Sequence, residues 1–145
     1  MLRDWNNHPA NAVILRRLSV QATRRQPTPA APYVLDGYGL RAHPDLQERF
    51  NACTAALPRQ TRVGIYGYPA LITANGGIVA VAMGTHGIAM RLPDALRDLA
   101  IQTRHALPLP EFGADWVKID AWNVDAATVA WVTTLTEWLT AAAQV

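Results

Sequence analysis

The 145-residue chain has a single cysteine, Cys53. One thiol excludes an intramolecular disulfide and leaves a cysteine-based zinc site short of ligands. It is compatible with a reducing cytoplasm, the expected location. Long apolar runs are missing as well: the longest, Ile78–Met83, falls far below the roughly 20 residues that span a bilayer. No membrane association is expected. The first residues carry Asp4 and lack an apolar segment ending in a small-residue cleavage site, which argues against a secretory leader. Charge is scarce, at 17% of residues, while 50% are hydrophobic. That balance, at this length, points to one packed domain rather than disorder.

The common catalytic signatures are also missing. There is no Walker A lysine, no Rossmann glycine fingerprint and no serine in a nucleophile elbow. Gly64-Ile65-Tyr66-Gly67 spells a G-x-x-G string, but it lies in a strand-turn pattern and not between two helices, so it does not read as a KH-type clamp. His86 sits in a glycine-flanked turn and His105 at a helix end, without the close spacing that metal ligation needs. Asp94 and Asp98 share a helix face, yet Asp94 in a first turn complements the helix dipole and Asp98 lies beside Arg97 on a solvated side. Neither a cofactor, a metal nor an enzymatic activity is expected.

What is present begins with an asymmetry of charge. Residues 1–43 hold six arginines against two aspartates, net +4, and residues 44–145 hold seven basic against nine acidic residues, net −2. Residues 1–43 therefore read as a basic extension ahead of a domain at 44–145. Within it, Ala12 to Val20 fits one or two helical turns or a short strand. The three prolines of QPTPAAP mark a linker, and Asp36-Gly37 a turn. The pairs Arg16-Arg17 and Arg24-Arg25 suit phosphate contacts with a nucleic acid. A solvated arm, or docking on the acidic body of a second copy, explains them equally.

Downstream, His43-Pro44-Asp45 opens a helix whose Leu46, Phe50, Cys53 and Leu57 form one apolar stripe, stopped by Pro58. On that stripe Cys53 reads as a small buried hydrophobe and not as a reactive thiol. Strands are predicted at about Arg62–Tyr66, Ala70–Ala74, Ile78–Met83 and Ile88–Leu92, with Asn75-Gly76-Gly77 supplying a tight hairpin. A second helix runs from Asp94 to about His105 on Leu96, Leu99 and Ile101. LPLPEFG, with Pro108 and Pro110, reads as irregular. Asp115–Ala121 alternates as a strand, with Val117 and Ile119 on one face and Trp116, Lys118 and Asp120 on the other. A long helix capped by Asn123 or Asp125 closes the chain, its stripe made by Trp131, Leu135, Trp138, Leu139 and Ala142. The order α-β-β-β-β-α-β-α predicts a two-layer α+β domain: an antiparallel sheet of about five strands with helices on one face.

Three pieces of residues 44–145 carry a family resemblance. They are the aromatic-glycine turn Tyr66-Gly67-Tyr68-Pro69-Ala70 before an Asn75-Gly76 hairpin, the strand ending Arg91-Leu92-Pro93-Asp94 that runs straight into a helix, and the proline loop 107–113 followed by Asp115-Trp116-Val117 and the last helix. In these the chain resembles the TfoX N-terminal domain and the YjbR-like (MmcQ/YjbR) proteins. The resemblance implies a fold similar to secretion chaperones and, for some members, roles in competence regulation or proposed DNA binding, with no established enzymatic activity. Members often carry basic residues just before the aromatic-glycine turn; here Val63, Gly64 and Ile65 are neutral and only Arg62 remains.

Tyr66, Tyr68, Trp116 and Trp122 are the remaining candidates. Aromatics on an open sheet face stack on bases or bury a ligand or partner. The alternative is that they pack the sheet edge or cover the core under the N-terminal segment, and large aromatics are buried more often than displayed. The function expected is a non-catalytic binding module, regulatory in character, that engages DNA through the N-terminal arginines or a protein partner. A chaperone-like or structural homo-oligomer that binds a peptide or protein is the alternative, and a small-ligand sensor or enzyme ranks last.

Overall fold

Each strand of the central meander is set by a turn that its own residues dictate. The computed structural model of the chain describes residues 5–24, 42–122 and 128–144. β1 (Arg62–Ile65) turns into β2 (Tyr68–Ile72) through Tyr66 and Gly67 alone. Both have positive φ, 51° and 84°, the signature of a type I′ turn. Thr73 to Gly77 link β2 to β3 (Ile78–Met83), and Gly84, with φ 70°, begins the turn into β4 (Gly87–Arg91). β5 (Leu107–Pro108) and β6 (Trp116–Asp120) complete one antiparallel sheet in the order β1-β2-β3-β4-β6-β5.

The fold is thus α+β with an antiparallel sheet, of six strands and not about five. The additional strand is β5, in the proline loop expected to be irregular. Leu109 N–H donates to the Trp116 carbonyl at 3.0 Å, so the donor that Pro108 lacks would have pointed out from the sheet edge. An edge strand tolerates proline for that reason.

Three helices cover one face. α2 (Pro44–Cys53) starts as the sequence implies, with Pro44 in its first turn and His43 Nδ1 accepting the Asp45 N–H at 3.0 Å. Its stripe of Leu46, Phe50 and Cys53 is buried, with α4 (Thr128–Ala143) contributing Trp131, Leu135, Trp138 and Leu139. α3 (Asp94–Arg104) differs from its expected stripe: Ala100 is its buried residue, Leu96 and Ile101 flank it, and Leu99 is exposed. The start of α4 is visible from Thr128; its expected caps, Asn123 and Asp125, lie outside the described residues.

The opposite face departs from a one-sided, two-layer arrangement. α1 (Ala12–Arg24) resolves the helix-or-strand ambiguity as helix, and its Ile14 and Leu18, one turn apart, are buried against the sheet. They pack with Ile65, Tyr68, Ala70, Ile72, Val81, Ala89, Phe112 and Trp116. Residues 5–19 therefore belong to the packed body, while the linker 26–32 and the Asp36-Gly37 turn lie outside the described residues. A buried asparagine secures the attachment: Asn11 accepts the Ile78 N–H at 2.8 Å and donates to the Gly76 carbonyl at 2.9 Å. One short polar side chain thereby satisfies two backbone groups of the β2–β3 hairpin.

Candidate binding groove

β1 is an edge strand, and its register decides which of its backbone groups are free. A two-residue turn makes Ile65 and Tyr68 a hydrogen-bonded pair, so the next pair, Gly64 and Pro69, is a non-bonded one. Gly64 consequently directs its N–H and its carbonyl away from β2. The N–H of Arg62 also points outward, but it is taken by the Arg59 carbonyl of the short helix Arg59–Thr61.

Above this edge, on the three-helix face, lies a groove of about 240 Å³. α2 forms one wall: Phe50 supplies the apolar floor from the core stripe, and Gln47 and Asn51, four apart, present two primary amides beside it. Arg62, Gly64 and Pro69 form the other wall. Among the described residues, Arg62 is the only charged residue of the lining. Its Nε is buried and without a hydrogen-bond partner. Buried nitrogen donors are seldom left in that state, because each forgoes hydration without compensation.

Gly64 opens the groove. A Cβ built on it would meet nothing within 4 Å, and its φ is not in the left-handed region. The β1–β2 register runs without a bulge. Neither backbone geometry nor packing requires glycine here, and a strand glycine of that kind marks close approach by a ligand or another backbone.

The four aromatics singled out from sequence separate. Tyr66, at the hairpin tip, is 48% exposed, whereas Tyr68 and Trp116 are buried under α1. Trp116 meets Phe112 edge-on, ring centroids 5.3 Å apart. A stacking platform on the sheet face is therefore not what Tyr68 and Trp116 build; they cover the core beneath the N-terminal segment. Trp122 is half-buried beyond β6, with Arg49 stacked 4.1 Å from its ring centroid and its Nε1 donating to the Thr85 carbonyl at 3.2 Å. It borders a second concavity of about 390 Å³ with Asp45 and Glu48. Tyr66 and Trp122 lie toward the same end of the sheet, with β3 and β4 between their strands, and do not meet. Arg16 and Arg17 are exposed on the outer side of α1; Arg24 ends that helix with its side chain undescribed, and Arg25 lies outside the described residues.

Several other polar groups hold the fold together. Arg97 is less solvated than its sequence context implies: it binds Asp94 at 3.2 Å and Asp115 at 3.0 Å, tying α3 to the loop before β6. Burial pushes the Cys53 thiol up from its ordinary value, against smaller lowering effects from the Thr136 hydrogen bond and the Arg49 charge. His86 is exposed in its turn, and His105 closes α3. Among the described residues, no three His, Cys, Asp or Glu side chains converge as metal ligands, and no helix is long and apolar enough to cross a membrane.

Sequence reasoning had the means to find Gly64, since a glycine inside a strand pattern and one residue clear of the turn is anomalous. Gln47 and Asn51 carried no such signal. No family model matches the chain, and no curated protein or solved structure matches it either.

Proposed function

We propose that the chain is a non-catalytic binding module that engages a protein partner along the β1 edge. One observation carries this reading: an edge strand whose Gly64 backbone groups face away from the sheet, without partners among the described residues, borders a groove in which Arg62 is the one charge among those residues. Strand addition at an exposed edge draws affinity from the main chain and specificity from adjacent pockets. The exposed Tyr66 at the hairpin tip adds an aromatic contact beside the edge. A regulatory, TfoX- or YjbR-like role accords with this reading and rests on the sequence resemblance, and a cytoplasmic setting accords with the single cysteine.

Site-specific photocrosslinking tests it. A photoreactive phenylalanine analogue at exposed Gln60, next to β1, is expected to yield a discrete protein adduct, and one at exposed Gln102 on α3 is not. The same adducts from both positions, or none from Gln60, would count against the reading.

A second reading, DNA binding, is favoured by Arg16 and Arg17 standing side by side on the solvent side of a helix whose Ile14 and Leu18 are buried. Fluorescence anisotropy with duplex DNA at two salt concentrations decides it. Binding at low salt that weakens as salt rises supports it, and no binding at low salt rules it out.

A further inference from the structure

We infer that the groove over β1 captures the free C-terminus of an extended peptide, its carboxylate on Arg62 and its last peptide unit against Gly64. The inference rests on the protein-partner reading and names the chemistry its site would select.

Three features point the same way. Among the described residues the charge of the lining is a single guanidinium; its Nε is closed off from solvent, but Arg62 as a whole is partly exposed and lines the groove, so the terminal nitrogens of the fork are the donors a ligand would meet. The ligand group that answers such a donor is an anion, and a planar carboxylate matches the guanidinium fork. Gln47 and Asn51 stand on the opposite wall with amide donors for a second carboxylate oxygen. The anion therefore meets donors from both walls of the groove.

The second feature is the length of edge on offer. The Arg62 N–H is already bound to Arg59, so beyond Gly64 the strand has no further free donor on that side. A chain passing through would have to run past that closed turn, whereas a chain ending there would not. The volume agrees: about 240 Å³ is below the roughly 300 Å³ at which clefts for drug-sized ligands begin, so the footprint is short.

The third is Gly64 itself. With open space where its side chain would be, a terminal side chain can settle between the Phe50 floor and the Pro69 wall, and the backbone of a ligand can lie close to that of β1. Any larger residue there fills the groove without disturbing the fold.

The experiment is a ¹⁵N-correlated NMR titration of the full chain with acetyl-trialanine, run in parallel with its C-terminal amide and with sodium acetate. The free acid is expected to shift the Arg62 Nε–H and Gly64 amide signals together along one saturating curve. The amide is expected to bind about tenfold more weakly or worse, since it forgoes a charge-assisted hydrogen bond. Arg62→Gln is expected to abolish that preference for the acid, and Gly64→Val to remove binding of both peptides while the spectrum remains that of a folded protein. Equal affinity for acid and amide, or an unchanged preference in Arg62→Gln, overturns the carboxylate assignment. An acetate response at Arg62 equal to that of the peptide, without movement at Gly64, reduces the site to a bare anion contact and overturns the peptide assignment. The absence of any saturable shift at Gly64 overturns it too. In each case a Gln60-specific crosslink leaves the protein-partner reading standing, so the two fail separately.

Discussion

Asn11 and Ile78 are 67 residues apart in the chain and joined by a buried hydrogen bond of 2.8 Å, from the Ile78 N–H to Asn11 Oδ1. The other end of the same amide reaches the Gly76 carbonyl, so one side chain bridges the mouth of the β2–β3 hairpin. This contact makes the N-terminal segment part of the domain.

Asn11→Ala is accordingly expected to destabilise the protein by about 2 kcal/mol, because it leaves a backbone donor and an acceptor buried without partners. Urea unfolding followed by tryptophan fluorescence gives the value. A change under about 0.5 kcal/mol, the level of an ordinary surface substitution, would mean that water replaces the amide and that the segment is not held there.

Gly64→Val is expected to leave stability unchanged or raise it by about 0.5–1 kcal/mol, since a β-branched residue suits a strand and its Cβ has open space. Loss of stability on thermal denaturation would show that the glycine serves the fold, and would remove the argument that it keeps a groove open.

Tyr66 and His105 are the two described residues other than glycine with left-handed backbone, at φ 51° and 56°. His105 ends α3, where the Ala106 N–H reaches back to the Ala100 carbonyl at 3.2 Å, a glycine-favouring geometry. His105→Gly and Tyr66→Asn are each expected to stabilise by up to about 1 kcal/mol through relief of that conformation. Differential scanning calorimetry checks both. A lowered Tm for Tyr66→Asn would mean that the exposed ring contributes packing that outweighs the turn strain.

Cys53 gives a pH dependence with a definite sign. Its thiol is held above its ordinary value by burial, so the unfolded chain releases the proton first as pH rises. Between the ordinary thiol value and the raised one, the folded state binds more protons, and stability falls with increasing pH. The contribution is complete below the ordinary value and is lost across that alkaline interval. Wild type is therefore expected to lose more stability than Cys53→Ala between neutral and strongly alkaline pH, measured by urea midpoints at each pH. Parallel curves would contradict it.

Much of the scaffold was legible because local signals agreed with the tertiary outcome. The Leu46-Phe50-Cys53 stripe, the alternation of Val117 and Ile119, and the glycine turns each specify a face or a reversal by themselves. Three things were not legible. The helix of Ala12–Arg24 shows a short apolar cluster whose partner face is known only once the sheet exists, so Ile14 and Leu18 read as part of an arm. Pro108 signals a missing ladder donor, and nothing local says that this donor would face outward at an edge. Tyr68 and Trp116 are open to core or surface in the sequence, because the layer that buries them is that same helix, whose partner face no local signal specifies. For the groove, Gly64 carried a trace in the sequence, whereas Gln47 and Asn51 become neighbours of Arg62 only through the docking of α2 beside the strand edge.

Partner binding at the β1 edge and its groove is the proposal on which the rest depends. It is tested most directly by quantitative affinity capture with wild type, Gly64→Val and an Arg16→Glu/Arg17→Glu double variant side by side. At least one protein is expected to be retained by wild type and by the arginine variant and lost with Gly64→Val. Capture unaffected by Gly64→Val, or abolished only by the arginine variant, would place binding elsewhere and contradict it.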